Sequence, residues 1–281
     1  MMMIFGSHVS IRNGYLGAAK QAVANHASAF QYFPKNPRSL SIKDFDREDA
    51  KSCKEFCRNH QIHSIAHTPY STNLTPSPDK EQLTIDSLLN DLDIANTCGS
   101  IGVVVHYGSQ ISHTDPLASY HLMLKILNEV LSQWEGDCLI LLENNAGTKG
   151  ALGTTLEELV QIRNLCDFPE KIGFCLDTCH AFASGLWNGE NTADLIAKGE
   201  SLGYFEQLKA IHLNNSKYPS GSKKDRHANI FQTNGYIKAE QLKGLLEAPI
   251  FQGIPLVLET PDDEGISHKE EIELLKQNWG K

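Results

Sequence analysis

The chain has 281 residues, with 25 Lys and Arg against 34 Asp and Glu, a formal net charge of −9 and a hydrophobic share of 41%. This composition excludes long disorder, and no run of about 18 apolar residues offers a membrane span, so a soluble α/β protein with an ample core is expected. The acidic balance argues, on its face, against a nucleic-acid partner, which usually favours a basic surface.

The opening MMMIFGSHVS shows no basic segment followed by a long apolar stretch, which predicts a cytoplasmic protein. Seven Cys at 53, 57, 98, 138, 166, 175 and 179 are odd in number and scattered. They read as reduced, buried structural thiols, and neither Cys53/Cys57 nor Cys175/Cys179 has the two-residue gap of a zinc ribbon. Short apolar runs lie at 3–9, 28–33, 61–67, 101–106, 138–143, 172–177, 209–214 and 254–259, several nearly continuous in Val, Ile and Leu. A parallel sheet covered on both faces asks for that composition.

Helical patterns alternate with these runs. Ser77-Pro78-Asp79 offers an N-cap and a first-turn Pro ahead of Ile85, Leu88, Leu89 and Leu92. Asp115-Pro116 opens a second helix with Leu117, Tyr120, Leu124, Leu127 and Leu131 on one face, and Thr154 with Glu157 predicts a capping box. The last helix carries Ile272, Leu275 and Trp279. Eight strand–helix pairs in a chain of this length favour a (β/α)8 TIM barrel over a doubly wound sheet. No linker divides residues 1–281, so a single domain is expected, with one long polar insertion at 214–235.

The chemistry is carried by what ends each run. The third closes on His67, the fourth on His106, the fifth on Glu143, the sixth on Asp177, the seventh on His212 and the eighth on Glu259. Parallel barrel strands bring their C-terminal ends to one rim, where barrel enzymes hold their active sites. His180, in LDTCH, and the Asp225-Arg226-His227 triplet join them. A lone His or carboxylate at a strand end is more often a hydrogen-bonded structural residue. Six consecutive strands ending this way point instead to metal, because buried charges are costly unless paired or bound. Imidazoles and carboxylates without a thiolate suit Zn2+ or Mn2+, and nine ligands would serve two or three ions. Clustered ions serve phosphoryl chemistry above all. Lys217, Lys223, Lys224 and Arg226 near the same rim then read as phosphate contacts, with Lys35-Asn36-Pro37-Arg38 opposite them and Tyr70 placed to stack on a base or sugar.

Together these segments resemble the endonuclease IV family of zinc-dependent apurinic/apyrimidinic endonucleases. The resemblance rests on GSHVS at 6–10, FPKNPR at 33–38, AHTPY at 66–70, VHYGS at 105–109, LLENNAG at 141–147, GFCLDTCHAFASG at 173–185, HLNNSK at 212–217, DRH at 225–227 and LETP at 258–261. It implies a (β/α)8 barrel with three Zn2+ per chain, Mn2+ being possible at one site. His67, His106 and bridging Glu143 would hold the first ion. Glu143, Asp177, His212 and Glu259 would hold the second, and His180, Asp225 and His227 the third. The implied activity is base excision repair: a deoxyribonuclease IV-type, metal-dependent hydrolase cuts double-stranded DNA 5′ to an abasic site and trims blocked 3′ ends. A bridging hydroxide, oriented by Glu143 and Glu259, attacks phosphorus, leaving a 3′-hydroxyl and a 5′-deoxyribose phosphate. Arg38 and Tyr70 match positions that enter the DNA at the lesion, Lys217 and Arg226 are further DNA contacts, and a monomer without a membrane partner is expected.

The sequence departs from the family pattern in three places. Asn215 replaces the usual Asp, removing a charge near the site; Ser71 stands where a Leu wedge is common; and 228-ANIFQTNG-235 is bulkier than the usual segment. The competing readings are a sugar isomerase or epimerase of the xylose-isomerase-like barrels and a non-catalytic binder of damaged DNA. The isomerase would use Glu143, Asp177, His212 and Glu259 around one ion and would leave five candidate ligands without a role.

Overall fold

A computed structural model describes residues 3–148, 150–262 and 265–280. Each apolar run forms a strand: β1 (Ile4–His8), β2 (Ala29–Tyr32), β3 (His63–His67), β4 (Gly102–His106), β5 (Leu139–Glu143), β6 (Ile172–Asp177) and β7 (Leu208–His212). Two short strands follow, β8 (Asn215–Ser216) and β9 (His227–Ala228), and then β10 (Pro255–Leu258). All but β8 and β9 pair in parallel and close a barrel in the order β1-β10-β7-β6-β5-β4-β3-β2. The helices are α1 (Gly14–Ala24), α2 (Arg47–His60), α3 (Glu81–Cys98), α4 (Ala118–Gln133), α5 (Leu156–Leu165), α6 (Thr178–Ser184), α7 (Thr192–Ser201), α8 (Ala239–Leu246) and α9 (His268–Trp279). They surround the closed sheet, and the architecture is the expected (β/α)8 TIM barrel.

Strand periodicity decides where the site lies. Ala29, Ile65, Val104, Leu141, Cys175, Ala210 and Val257 form one buried cluster, closed by Ile4, Ile101 and Leu139, and this cluster fills the barrel. Alternate residues such as Phe30, Ala66, Val103, Val105, Leu142, Phe174 and Leu258 pack outward into the larger core shared with the helices. Because side chains alternate with a period of two, the residue two steps beyond each interior apolar residue also faces inward. Counting from Ile65, Val104, Leu141, Cys175, Ala210 and Val257 gives His67, His106, Glu143, Asp177, His212 and Glu259. An apolar plug therefore floors a polar ring. The small residues are needed for closure: a Cβ on Gly6 would lie 2.0 Å from the Ala29 carbonyl oxygen.

Local signals behave as the chemistry predicts, with small shifts. Pro78 opens a 3-10 turn, Pro78–Lys80, that leads into α3, and Ile272, Leu275 and Trp279 of α9 are buried. The capping box before α5 uses Thr155 and Glu158 rather than Thr154 and Glu157, because Thr155 is the residue held extended just before the helix. The helix expected from Asp115-Pro116 begins at Ala118, with Asp115 capping the Leu117 N–H, and Leu117 stays exposed. All seven thiols are free and buried.

Lys35 departs from its expected place in a DNA-facing surface. Its ammonium is buried under the β2–α2 loop, 3.1 Å from Asp91 of α3, and donates to the Ser87 carbonyl (2.9 Å) and hydroxyl (2.8 Å). Burial pushes the Asp91 carboxyl up to about 7 despite the ammonium beside it, and lowers Lys35 in turn. The pair anchors the loop that presents Arg38. Removing one partner strands a buried charge, so Asp91→Ala should cost about 3–5 kcal/mol in urea unfolding, and Lys35→Met with Asp91→Leu should cost less than either single loss. Equal stability of Asp91→Ala and wild type would contradict the anchoring role.

Candidate metal centre at the barrel rim

The nine side chains singled out in the sequence converge at the C-terminal ends of the strands. They fall into three sets, and within each set the ligand atoms lie within 4.8 Å of one another: His67, His106 and Glu143; Glu143, Asp177, His212 and Glu259; and His180, Asp225 and His227. Glu143, at the end of β5, joins the first two. Its Oε2 lies 3.0 Å from His106 Nε2 and 3.6 Å from His67 Nε2, while its Oε1 lies 2.8 Å from His212 Nδ1. Glu259 Oε2 approaches the same His212 nitrogen at 3.2 Å.

The third set is assembled by loops. Asp177 ends β6 and caps α6, accepting from the His180 N–H at 2.6 Å, so the His180 ring rises one turn above the strand end. The β8–β9 hairpin returns the long insertion to the rim, where Asp225 lies 3.3 Å from His180 Nε2 and 3.2 Å from His227 Nε2. Cys179 shares a possible set with Asp177 and His227, but burial pushes its thiol up to about 12, and a protonated thiol is a poor ligand.

The orientation of these groups fits a shared cation. Glu143 Oε2 and His227 Nε2 are buried and make no hydrogen bond, although each lies close to an oppositely polarised neighbour. Polar atoms left in that state at the middle of a ring of ligand groups suit a bound ion. Three rings hold their outward Nδ1 against a backbone carbonyl: His67 on Thr68 (2.8 Å), His180 on Asn144 (2.9 Å) and His227 on Glu259 (3.2 Å). A carbonyl only accepts, so each Nδ1 carries a proton and each Nε2 is the nitrogen turned to the cluster, available to a metal once any proton on it is displaced.

Without metal, protons do the balancing. Burial would lower His227, but the close approach of Asp225 and the charge of Asp177 raise it to about 9. His180 and His212 are likewise raised against burial, through Asp177 and Asp225 for His180 and through Cys175 and Glu259 for His212. Burial pushes the Glu143 and Glu259 carboxyls up, yet the surrounding imidazoles, His212 foremost, outweigh it and hold both low.

Several residues of the site escape a strand-end reading. The Asn214 amide donates to Asp177 (2.6 Å) and to Glu259 (3.3 Å), and its side-chain oxygen accepts from the Glu259 N–H (2.9 Å). Asn144 similarly ties β5 to β6 by accepting from the Asp177 N–H. His8 and Gln31 occupy the same inward layer on β1 and β2, two residues beyond Gly6 and Ala29. The period-two count would have found both, whereas the apolar runs carry on past them, to Val9 and Phe33.

Residues expected to meet DNA lie around this mouth. Arg38 and Arg226 are exposed, Lys217 is half-buried, and Tyr70 is 66% exposed. The Tyr70 N–H donates to the Pro37 carbonyl, which joins the β3 loop to the loop bearing Arg38. Lys224 lies over the Tyr218 ring at 4.3 Å, and Ser71 is exposed beside Tyr70. The Asn215 side chain points away from the ring: it accepts from the Ile237 N–H and donates to the Ile237 carbonyl, both at 2.9 Å. A carboxylate could not make the second bond, so this Asn holds the insertion rather than tuning the cluster. The first half of 228–235 is likewise internal, with the Ile230 N–H donating to buried Glu271 and Phe231 5.4 Å from Trp279 of α9, while Thr233 and Asn234 are exposed.

A family model described as a xylose isomerase-like TIM barrel matches residues 19–278. A "Probable endonuclease 4" of Symbiobacterium thermophilum is 40% identical over 271 residues, covering 96% of this chain and 97% of that one. A "Probable endonuclease 4" of Thermosipho africanus is 35% identical over 281 residues, covering 98% of each. The crystal structure of endonuclease IV from Thermus thermophilus superposes with a TM-score of 0.83 at 28% identity, covering 97% of this chain and 96% of that one. A D-tagatose 3-epimerase-like protein shares the fold at a TM-score of 0.70 and 20% identity, covering 98% and 96%.

Because metal must displace protons from raised imidazoles, divalent-metal uptake by the metal-free chain should release protons at pH 7. His227 retains its proton up to about 9, so release should shrink as pH rises through that value. Calorimetric titration in two buffers of different ionisation enthalpy measures it, and equal apparent enthalpies at pH 7 would contradict the balance described.

Proposed function

The chain belongs to the endonuclease IV family, and from that membership and the rim geometry we propose that it is a metal-dependent DNA-repair endonuclease that cleaves the phosphodiester 5′ to an abasic site. The observation that carries this reading is the convergence of nine imidazole and carboxylate groups on one rim, with two of their buried polar atoms left without a hydrogen bond at its centre. Three Zn2+ ions fit the three sets, with Mn2+ as an alternative at one of them. When bound, such ions supply a nucleophile at neutral pH and neutralise charge on the reacting phosphate.

The chain's own residues do the rest. Glu143, reaching two sets at once, and Glu259, held by Asn214 and Gln31, orient the attacking water at the centre of the rim. Arg38, Lys217 and Arg226 contact the DNA backbone, and Tyr70 stacks where a base is missing. An abasic nucleotide leaves the stack at lower cost because no base pair must be broken, which is a source of selectivity. The products are a 3′-hydroxyl and a 5′-deoxyribose phosphate, and the same mouth accepts blocked 3′ ends for trimming. The enzyme acts as a single-domain monomer in the cytoplasm on double-stranded DNA. Among the described residues, no helix is long and apolar enough to cross a membrane.

A duplex carrying one abasic site should be incised by the zinc-loaded protein and left intact after chelation; an intact strand with zinc present would overturn the reading. Three metal equivalents per chain, rather than one, separate it from a sugar isomerase centred on Glu143, Asp177, His212 and Glu259. Glu259→Gln should abolish incision while the circular dichroism spectrum stays that of wild type, and near-normal turnover would contradict its role. Tyr70→Ala should weaken binding to an abasic duplex by about 1–3 kcal/mol, measured by fluorescence anisotropy, with little change on intact duplex.

A further inference from the structure

His212 differs from three of the other rings of the centre. His67, His180 and His227 each fix the nitrogen turned away from the cluster on a backbone carbonyl, whereas His212 turns its outer nitrogen to a side chain. That side chain is Gln31, fully buried on β2, a strand that contributes none of the nine ligand groups. Its Oε1 lies 2.7 Å from His212 Nε2, and its Nε2 lies 2.6 Å from Glu259 Oε1.

The donor and acceptor rules leave one arrangement. A carboxylate only accepts, so the amide NH2 must face Glu259 and the amide oxygen must face His212. That oxygen only accepts, so His212 Nε2 carries a proton, and Nδ1, which donates to Glu143 while the metal-free ring is protonated, is the nitrogen left with the lone pair once metal displaces that proton. Nδ1 is the atom turned to Glu143 (2.8 Å), Glu259 (3.2 Å) and Asp177 (3.9 Å). The same amide occupies Glu259 Oε1 and leaves Oε2, the oxygen nearest His212 Nδ1, to face the centre. A flipped amide would set its oxygen against the carboxylate and turn an N–H of His212 into the metal position.

We propose that Gln31 is a positioning residue of the metal centre, fixing the tautomer of His212 and the inward oxygen of Glu259 together, and so setting the affinity of the set those two share. The inference rests on the metal-dependent reading above. It predicts a selective defect, because His67, His106, His180, Asp225 and His227 are not hydrogen-bonded to this amide.

Gln31→Met keeps the volume and removes the hydrogen bonds to His212 and Glu259, together with a longer contact to His8 Nδ1 (3.4 Å). In zinc titrations against a chromophoric chelator, it should weaken one equivalent about 10- to 100-fold and leave the others near wild type. Its metal-free melting temperature should fall by no more than the loss of these buried hydrogen bonds accounts for, while the effect on metal affinity stays confined to that one equivalent. Unchanged affinity at every equivalent would overturn the proposal. So would uniform weakening of all equivalents with a fall in the metal-free melting temperature, which is the signature of a merely structural residue. Nitrogen-15 NMR of the zinc-loaded wild type tests the same point without a variant: His212 should show a protonated Nε2 and a metal-bound Nδ1, and the reverse assignment would overturn it. A wild-type chain that takes up no zinc would remove the metal reading and this inference together. Zinc uptake by wild type with an indifferent Gln31→Met removes this inference alone.

Discussion

Four carboxylates gathered in one ring at the barrel mouth set the terms for the rest of this molecule. Two like charges about 4 Å apart repel by about 4 kcal/mol at an effective dielectric of about 20, so an uncompensated ring would consume much of the ~5–15 kcal/mol by which domains are stable. Compensation has to come from cations, and five imidazoles stand ready either to take up protons or to give up lone pairs to metal. The raised His180, His212 and His227 and the lowered Glu143 and Glu259 are the protonic version of that balance. Bound ions would provide the other version, and with it reactivity toward a phosphodiester.

The barrel makes the ring possible by separating it from its floor. The same period of two that sends Ile65, Val104, Leu141 and Val257 into an apolar plug places ligand groups one inward step higher, so each of these strands contributes one packing residue and one chemical residue. Precision then depends on neutral amides and carbonyls that can donate or accept without adding charge. Asn144, Asn214 and Gln31 bond the ring from strand ends or just beyond them, and backbone carbonyls of Thr68, Asn144 and Glu259 orient three rings. Further from the centre, the Lys35–Asp91 pair, Asn215 and Glu271 hold the loops that carry Arg38 and the Asp225–His227 hairpin. Polar residues buried outside the ring thus serve loop placement, which is why positions that look electrostatic in the sequence prove to be anchors.

Net charge is a poor guide to the partner of such a protein. Part of the acidity that argues against DNA is folded inward and faces imidazoles, while Arg38, Arg226 and Lys224 remain outside around the mouth. Attraction to a phosphate backbone depends on the field at that mouth rather than on the sum over the chain, and salt would weaken it steeply.

Local pattern was enough to favour the barrel over a doubly wound sheet and to point to its inner ring. Strand identity and facing direction are written in eight apolar runs and in the residue two steps past each plug residue; even His8 and Gln31 obey the same count. LDTCH carried His180 as well, because a capping Asp and a ring three residues on share one helical turn. The use made of the loops was not legible in this way. Lys35, read as a phosphate contact, is drawn under its loop by the carboxylate of Asp91 on α3, which no local pattern connects to it. Asn215, Ile230 and Phe231 turn inward because Ile237 and α9 offer partners there, and His212 takes its tautomer from Gln31, 181 residues away. Hydrogen-bond direction and ion pairing between distant segments depend on which groups the closed barrel brings within about 3 Å of each other, and that is settled only when the fold is complete.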